Sequence, residues 1–233
     1  MSTMWGARLR MVGALASAVL AMAGCGGVMN VRSFTQQAPG RSIAVVSLAI
    51  NDYQGQLQGW NETRTGPLMA SRAAAMVAIV EQHLAQSFNV VPASAFVGNP
   101  AYQAVPQGAH QVAVPLINGA IMPVFGMERG DLVRGEMDPG QAQALAAAAG
   151  TDFIAVVYAE WGVVTGGFIP TSKALSKTVV TIYDASGVRV AHQRVDERGE
   201  RTLGAMGHVV VDENSIDEWV MAFDRGVARM VQR

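Results

Sequence analysis

The residues able to do chemistry are few, and their spacing limits what they can do. The chain has one cysteine, Cys25, and four histidines. A single cysteine excludes an intramolecular disulfide framework, a cysteine-based zinc site and a Cys-x-x-Cys redox pair. His83, His110, His192 and His208 stand at no helical or turn spacing from one another, so no local segment assembles them as metal ligands. His83 reads as the edge of a helix stripe, and His192 as a strand residue half in solvent. Asp212-Glu213 and Asp217-Glu218 are adjacent carboxylates, the raw material of acid–base catalysis. In their setting they read instead as a loop and a helix N-terminus that satisfies its dipole. Ser71 and Ser94 have no identifiable base. There is no G-x-S-x-G, no Walker A loop, no G-x-G-x-x-G after a strand and no H-E-x-x-H. The expectation is a chain with no catalytic residue, no cofactor and no metal.

Three aromatic residues suggest recognition rather than catalysis. Tyr53 and Trp60 lie in a polar loop, and Trp161 falls just past a strand end. Exposed near one another they would form a contact surface for a protein or glycan partner. The competing reading is that each lids the core. Asn61-Glu62-Thr63 matches a glycosylation acceptor.

Composition narrows the partners further. The chain has 233 residues, of which half are apolar and 15% charged, with Lys+Arg 17 against Asp+Glu 18 and a formal net charge of -1. No basic field exists to hold a polyphosphate backbone, so nucleic acid is excluded as a general partner. The balance is that of a globular chain.

The N-terminus is an export signal. Arg8 and Arg10 precede an apolar run from Met11 to Ala23, and no acidic residue occurs before Asp52. A run of about a dozen residues is too short for a bilayer span, which needs roughly 20, so a cleaved signal is the reading. The run ends at Met22-Ala23-Gly24-Cys25. Small residues before a cysteine, directly after the apolar run, resemble the lipobox of bacterial lipoproteins, with Met22 where leucine is usual. The resemblance implies that residues 1–24 are removed and that Cys25 is acylated and anchors the chain. It also implies the periplasmic face of the outer membrane, because Gly26 stands where an inner-membrane retention signal carries Asp. Several acyl chains hold a protein stably where one is marginal. Loss of Arg8 and Arg10 takes the net charge from -1 to -3.

Residues 25–40 read as a polar tether, and 41–233 as one periplasmic domain. Ile43 to Ile50 is a short apolar run bounded by turn-formers, a buried strand. Pro67 opens a helix with Met69, Ala73, Met76, Val80 and Leu84 at helical spacing. Phe88 to Val91 is a second strand. Residues 98–137, with four prolines and six glycines, read as an irregular insertion with one short strand. Asp138-Pro139-Gly140-Gln141 is a helix start with a capping box, and Gly150 is its stop. Phe153 to Ala159 is a strong buried strand and 162–170 a loop. Lys177 to Asp184 and Val188 to Val195 form a hairpin turning at Ala185-Ser186-Gly187. Residues 196–212 are a charged connection. Ser215 and Glu218 frame a capping box for a last helix, whose apolar face is Ile216, Trp219, Val220, Phe223, Val227, Met230 and Val231.

The fold class is therefore α/β: a single mixed sheet with helices packed on it, plus an irregular insertion. The order of elements carries a resemblance. An Ala-rich helix stops at Gly150 and runs straight into Thr151-Asp152-Phe153-Ile154-Ala155-Val156-Val157, and a hairpin at Asp184-Ala185-Ser186-Gly187 precedes the terminal amphipathic helix. This resembles the periplasmic lipoprotein domain shared by the curli-secretion protein CsgG, the peptidoglycan-synthase activator LpoB and the amino-terminal domain of TolB. The resemblance covers about 41–232 and implies binding or scaffolding among envelope proteins. A ring-forming homo-oligomer of a secretion or polysaccharide-export complex is the first alternative, and an envelope hydrolase the second. Val112 to Phe125 is too short and proline-rich for a spanning β-hairpin.

Overall fold

Strand β1 (Ser42–Asp52) is almost wholly apolar, and it lies inside the sheet with neighbours on both sides. The computed structural model describes residues 27–57, 65–205, 209 and 211–232. Cys25, Trp60, the Asn61-Glu62-Thr63 triplet and His208 lie outside them. The sheet order is β2 (Asn89–Val91), β1, β5 (Phe153–Gly166), β6 (Thr171–Asp184), β7 (Arg189–Ala205). β1 is parallel to β2 and β5, and β5, β6 and β7 run antiparallel. This is the mixed α/β sheet that the sequence implies.

The sheet is covered on both faces. On one face lie α1 (Val31–Gln37), α2 (Thr65–Leu84) and α6 (Asp217–Val231). Trp161 of β5 stacks on Trp219 of α6, and Phe153 meets Phe34 of α1 edge to face at 5.0 Å. The stripe Met69, Ala73, Met76, Val80 and Leu84 is buried along α2, as its spacing requires. On the other face lie α5 (Pro139–Ala149) and the insertion. Asp138 caps α5 by accepting from Gln141 N, and Gly150 ends it in the left-handed conformation. The Gln141 side chain does not close a capping box. It donates to the Pro106 carbonyl and ties α5 to the insertion.

Further expectations need correction, among them the single strand expected in the insertion, which holds two. Residues 25–40 do not form a tether along their length. Met29 pairs with the edge of β7, exchanging bonds with Val190 and His192, and α1 buries Val31 and Phe34 against the sheet and α6. Two apolar residues three apart secure so short a helix, a signal too sparse to read as periodicity. The 162–170 loop is largely strand, since β5 continues to Gly166 and only 167–170 turn. Likewise, most of the 196–212 connection is the end of β7.

That extension of β7 explains one more correction. Opposite Lys173 and Leu175, β7 carries surplus residues between Arg198 and Thr202, a bulge that frees backbone N–H groups. Glu218 accepts from two of these, Glu200 N and Arg201 N, at 3.1 and 3.0 Å. Its carboxylate is spent there, so it does not cap α6 with Ser215, whose hydroxyl accepts from Asp212 N. A Cβ at Gly199 would lie 3.0 Å from both Glu218 Oε2 and Ala174 Cβ, so the bulge is a tight fit.

The insertion is packed. It contains α3 (Pro100–Gln103), a two-stranded ribbon of β3 (Leu116–Ile117) and β4 (Ala120–Ile121), and α4 (Arg129–Arg134). Tyr102, Met122, Phe125 and Leu132 are its buried anchors. Tyr102 donates to the Val46 carbonyl and the Ser47 hydroxyl to the Pro123 carbonyl. Both bonds fall at the β1 irregularity between Val45 and Ser47.

Replacing Phe34 by Ala should lower stability by about 3 kcal/mol, the usual loss for a buried phenylalanine. Urea unfolding measures it; no change would restore the tether.

Candidate functional site

The polar centre of the molecule stands towards the C-terminal ends of β1 and β5, on the face that the insertion covers. Alternation along β5 puts Tyr158 and Glu160 on this face and Trp161 on the other. Glu160 is only 1% exposed. A buried carboxylate needs a charge partner, and Arg129, at the start of α4, supplies it. The guanidinium donates from Nε to one carboxylate oxygen and from Nη2 to the other at 2.9 Å. Tyr158 adds its hydroxyl to the same carboxylate at 3.3 Å. Burial, with the neighbouring carboxylate, pushes the Tyr158 phenol above its ordinary value. Ala49, Val124, Leu132 and Val179 close an apolar collar around it.

Tyr53 belongs to this centre. It is half-buried, with the Lys177 ammonium 3.1 Å from its ring centroid and the Arg129 guanidinium 5.7 Å away. Its face is therefore already occupied by cations of the same chain. Trp161 is fully buried in the core and cannot touch a partner, and Trp60 lies outside the described residues. The expected aromatic surface is thus not built from Tyr53 and Trp161. Strand alternation sends Trp161 inward, and its position near the end of an apolar run concealed that the strand continues.

The Glu160 carboxylate is locked and is not a free base. Both Glu160 oxygens are held by Arg129. His110 packs near Tyr158, with its Nε2 buried and without a hydrogen-bond partner, and burial lowers its pKa. Among the described residues, no group of three His, Cys, Asp or Glu could hold a metal ion. A cavity of about 680 Å³ lies between the insertion and α5, lined by Pro106, Phe125, Met127, Met137 and Ala144 with Asp131, Glu136 and Asp138. Its carboxylates are engaged: Asp131 with Arg134 and the Met127 and Glu128 amides, Glu136 with Arg134, and Asp138 with the α5 cap.

Among the described residues the most exposed apolar side chain is elsewhere. Phe168 is 105% and Ile169 61% exposed, at the tip of the β5–β6 hairpin. Met29 docks beside β7 at Ala191, which faces Ile182 of β6. The tip thus lies up to about 36 Å along β6 from the point of chain entry. The sequence held a signal for it, an aromatic and a β-branched residue between Gly167 and Pro170, where a turn would ordinarily be polar.

Two outcomes are expected. Arg129→Ala should cost about 2 kcal/mol, reduced from the value for a fully buried pair because Arg129 is half exposed. Adding Glu160→Gln should recover part of it, and a double variant no better than the single one would contradict the lock. His110 and His192 both have lowered pKa values through burial. The unfolded chain then takes up protons that the folded chain refuses. Stability should fall as pH drops below about 6.5, the ordinary imidazole value, towards the lower folded values. Urea unfolding across that range checks it, and a His110→Gln, His192→Gln chain should show a flatter profile there.

No family model matches the chain, and no curated protein matches it. Two solved structures are similar to it. The hypothetical protein CT253 from Chlamydia trachomatis is 11% identical with a TM-score of 0.35, covering 82% of this chain and 99% of that one. The lipoprotein GNA1162 from Neisseria meningitidis is 12% identical with a TM-score of 0.30, again covering 82% of this chain and 99% of that one. Likenesses this distant carry no argument about function.

Proposed function

We propose that the protein is a lipoprotein of the outer membrane, anchored through Cys25 on the periplasmic face, that acts as a binding or scaffold module in an envelope assembly and has no chemistry of its own. One observation carries the reading: the chain's only cysteine ends the leader's apolar run, and the fold engages four residues later at Met29. The resemblance of the element order to the CsgG, LpoB and TolB domain supports an assembly role. The locked Glu160 centre supports binding over catalysis. The contact element is the Phe168–Ile169 tip, since a fully exposed aromatic at the end of a long hairpin gains most from burial against a partner.

Metabolic labelling with an alkyne fatty acid should mark the chain, and Cys25→Ala should abolish the label and release the protein from the membrane fraction. An unlabelled wild-type chain would overturn the anchor. Crosslinking in intact cells, followed by affinity purification, should recover one envelope machine. Phe168→Glu with Ile169→Glu should lose it while shifting stability by no more than about 0.5 kcal/mol, as for other exposed sites. Self-crosslinked ladders alone would favour the ring-forming alternative, and recovery of nothing would sink both assembly readings.

A further inference from the structure

We propose that the groove between the β7 edge and α6 binds the phosphates of anionic phospholipid headgroups in the anchoring membrane and so orients the domain on it. The proposal rests on the lipid-anchored reading above, because the anchor decides which membrane the groove meets. The groove has a volume of about 600 Å³, and its lining includes Arg32, Gln193, Glu197, Arg225 and Arg229. Three guanidinium groups face one carboxylate there, on a chain whose net charge is -1.

Its location supplies the second argument. Val31 N donates to Gln193 Oε1 at 3.1 Å, so the groove starts where the chain enters the fold. Met29, which is paired to β7, stands four residue steps after Cys25. Fully extended they span about 14 Å. An acylated Cys25 therefore holds this end of the domain within that distance of the headgroups, closer than a tether of 16 residues would.

The arginines are available for the task. Arg229 holds Glu197 through Nη1, and Arg225 reaches Glu200 at 3.3 Å and the Arg198 carbonyl. Each guanidinium has five donors, so both keep some free. Arg32 is exposed and has no acidic partner among the described residues. The planar fork of arginine matches two phosphate oxygens at once. Anionic lipid attracts such a group at close range, and salt screens the attraction.

The test uses the full chain as purified from membranes, with the mass of its N-terminal peptide reporting acylation separately. The chain is reconstituted in phosphatidylcholine vesicles with or without phosphatidylglycerol, and arginine modification by phenylglyoxal is timed by peptide mass. Phosphatidylglycerol should slow modification of Arg32, Arg225 and Arg229 by about fivefold, a scale set by the attraction of one basic residue to an anionic surface. Arg129, held by Glu160 on the opposite face of the sheet, should be unaffected, and added salt should reverse the protection. Arg32→Glu, which breaks no ion pair, should reduce the protection of Arg225 and Arg229. Equal rates on both vesicle types would overturn the proposal, as would uniform slowing of every arginine. Equal protection by inorganic phosphate alone would also overturn it, pointing to a free anion. A chain whose N-terminal mass shows no acyl group would refute the anchor, while the same vesicles added to it would still test the groove.

Discussion

Strand β5 is buried on both faces from Phe153 through Gly162, and the architecture follows from the need to cover it twice. One face is met by α1, α2 and α6. The other needs a second layer, which α5 supplies in part and the insertion completes. A strand buried on both sides reads as a continuous apolar run, and Glu160 is the exception within it. Its charge cannot be left alone in that environment, so the insertion must deliver Arg129 to it. The same pairing that neutralises the carboxylate fixes where α4 sits on the sheet.

Close fits repeat this dependence along the insertion. Gly135, at φ +61°, ends α4 where a Cβ would lie 2.4 Å from Thr181 Oγ1. A Cβ at Gly108 would lie 2.0 Å from the Gly126 carbonyl oxygen. Gly108 and Gly135 are thus conditions of close packing, although a glycine- and proline-rich stretch reads locally as irregular chain. Its irregularity is of backbone form and not of attachment.

The two ends of the long β6–β7 ribbon differ in character. At one end Met29 and α1 pin the start of the fold beside a groove of arginines. At the other, Phe168 and Ile169 stand in solvent. Glu218 keeps the ribbon stiff midway, because it satisfies the N–H groups that the β7 bulge would otherwise leave open.

Much of the fold is legible in local sequence because its signals are local. The stripe of α2, the Asp138 cap, the Gly150 stop and the apolar run of β5 each depend on residues within a turn or two of one another. Only the tertiary structure decided the rest. Nothing near Glu218 in sequence discloses the β7 bulge that takes its carboxylate from a capping box. Nothing near Trp161 shows that β5 runs on and turns that ring inward. Nothing near Phe34 reveals the rings of Phe88 and Phe153 that make a packed helix of a short polar segment. The sequence by itself determined the mixed sheet and carries none of the catalytic motifs sought in it. The tertiary structure decided how the insertion is locked, where the chain enters and which side chains stay exposed, because each depends on partners far apart in the chain that only folding brings into contact.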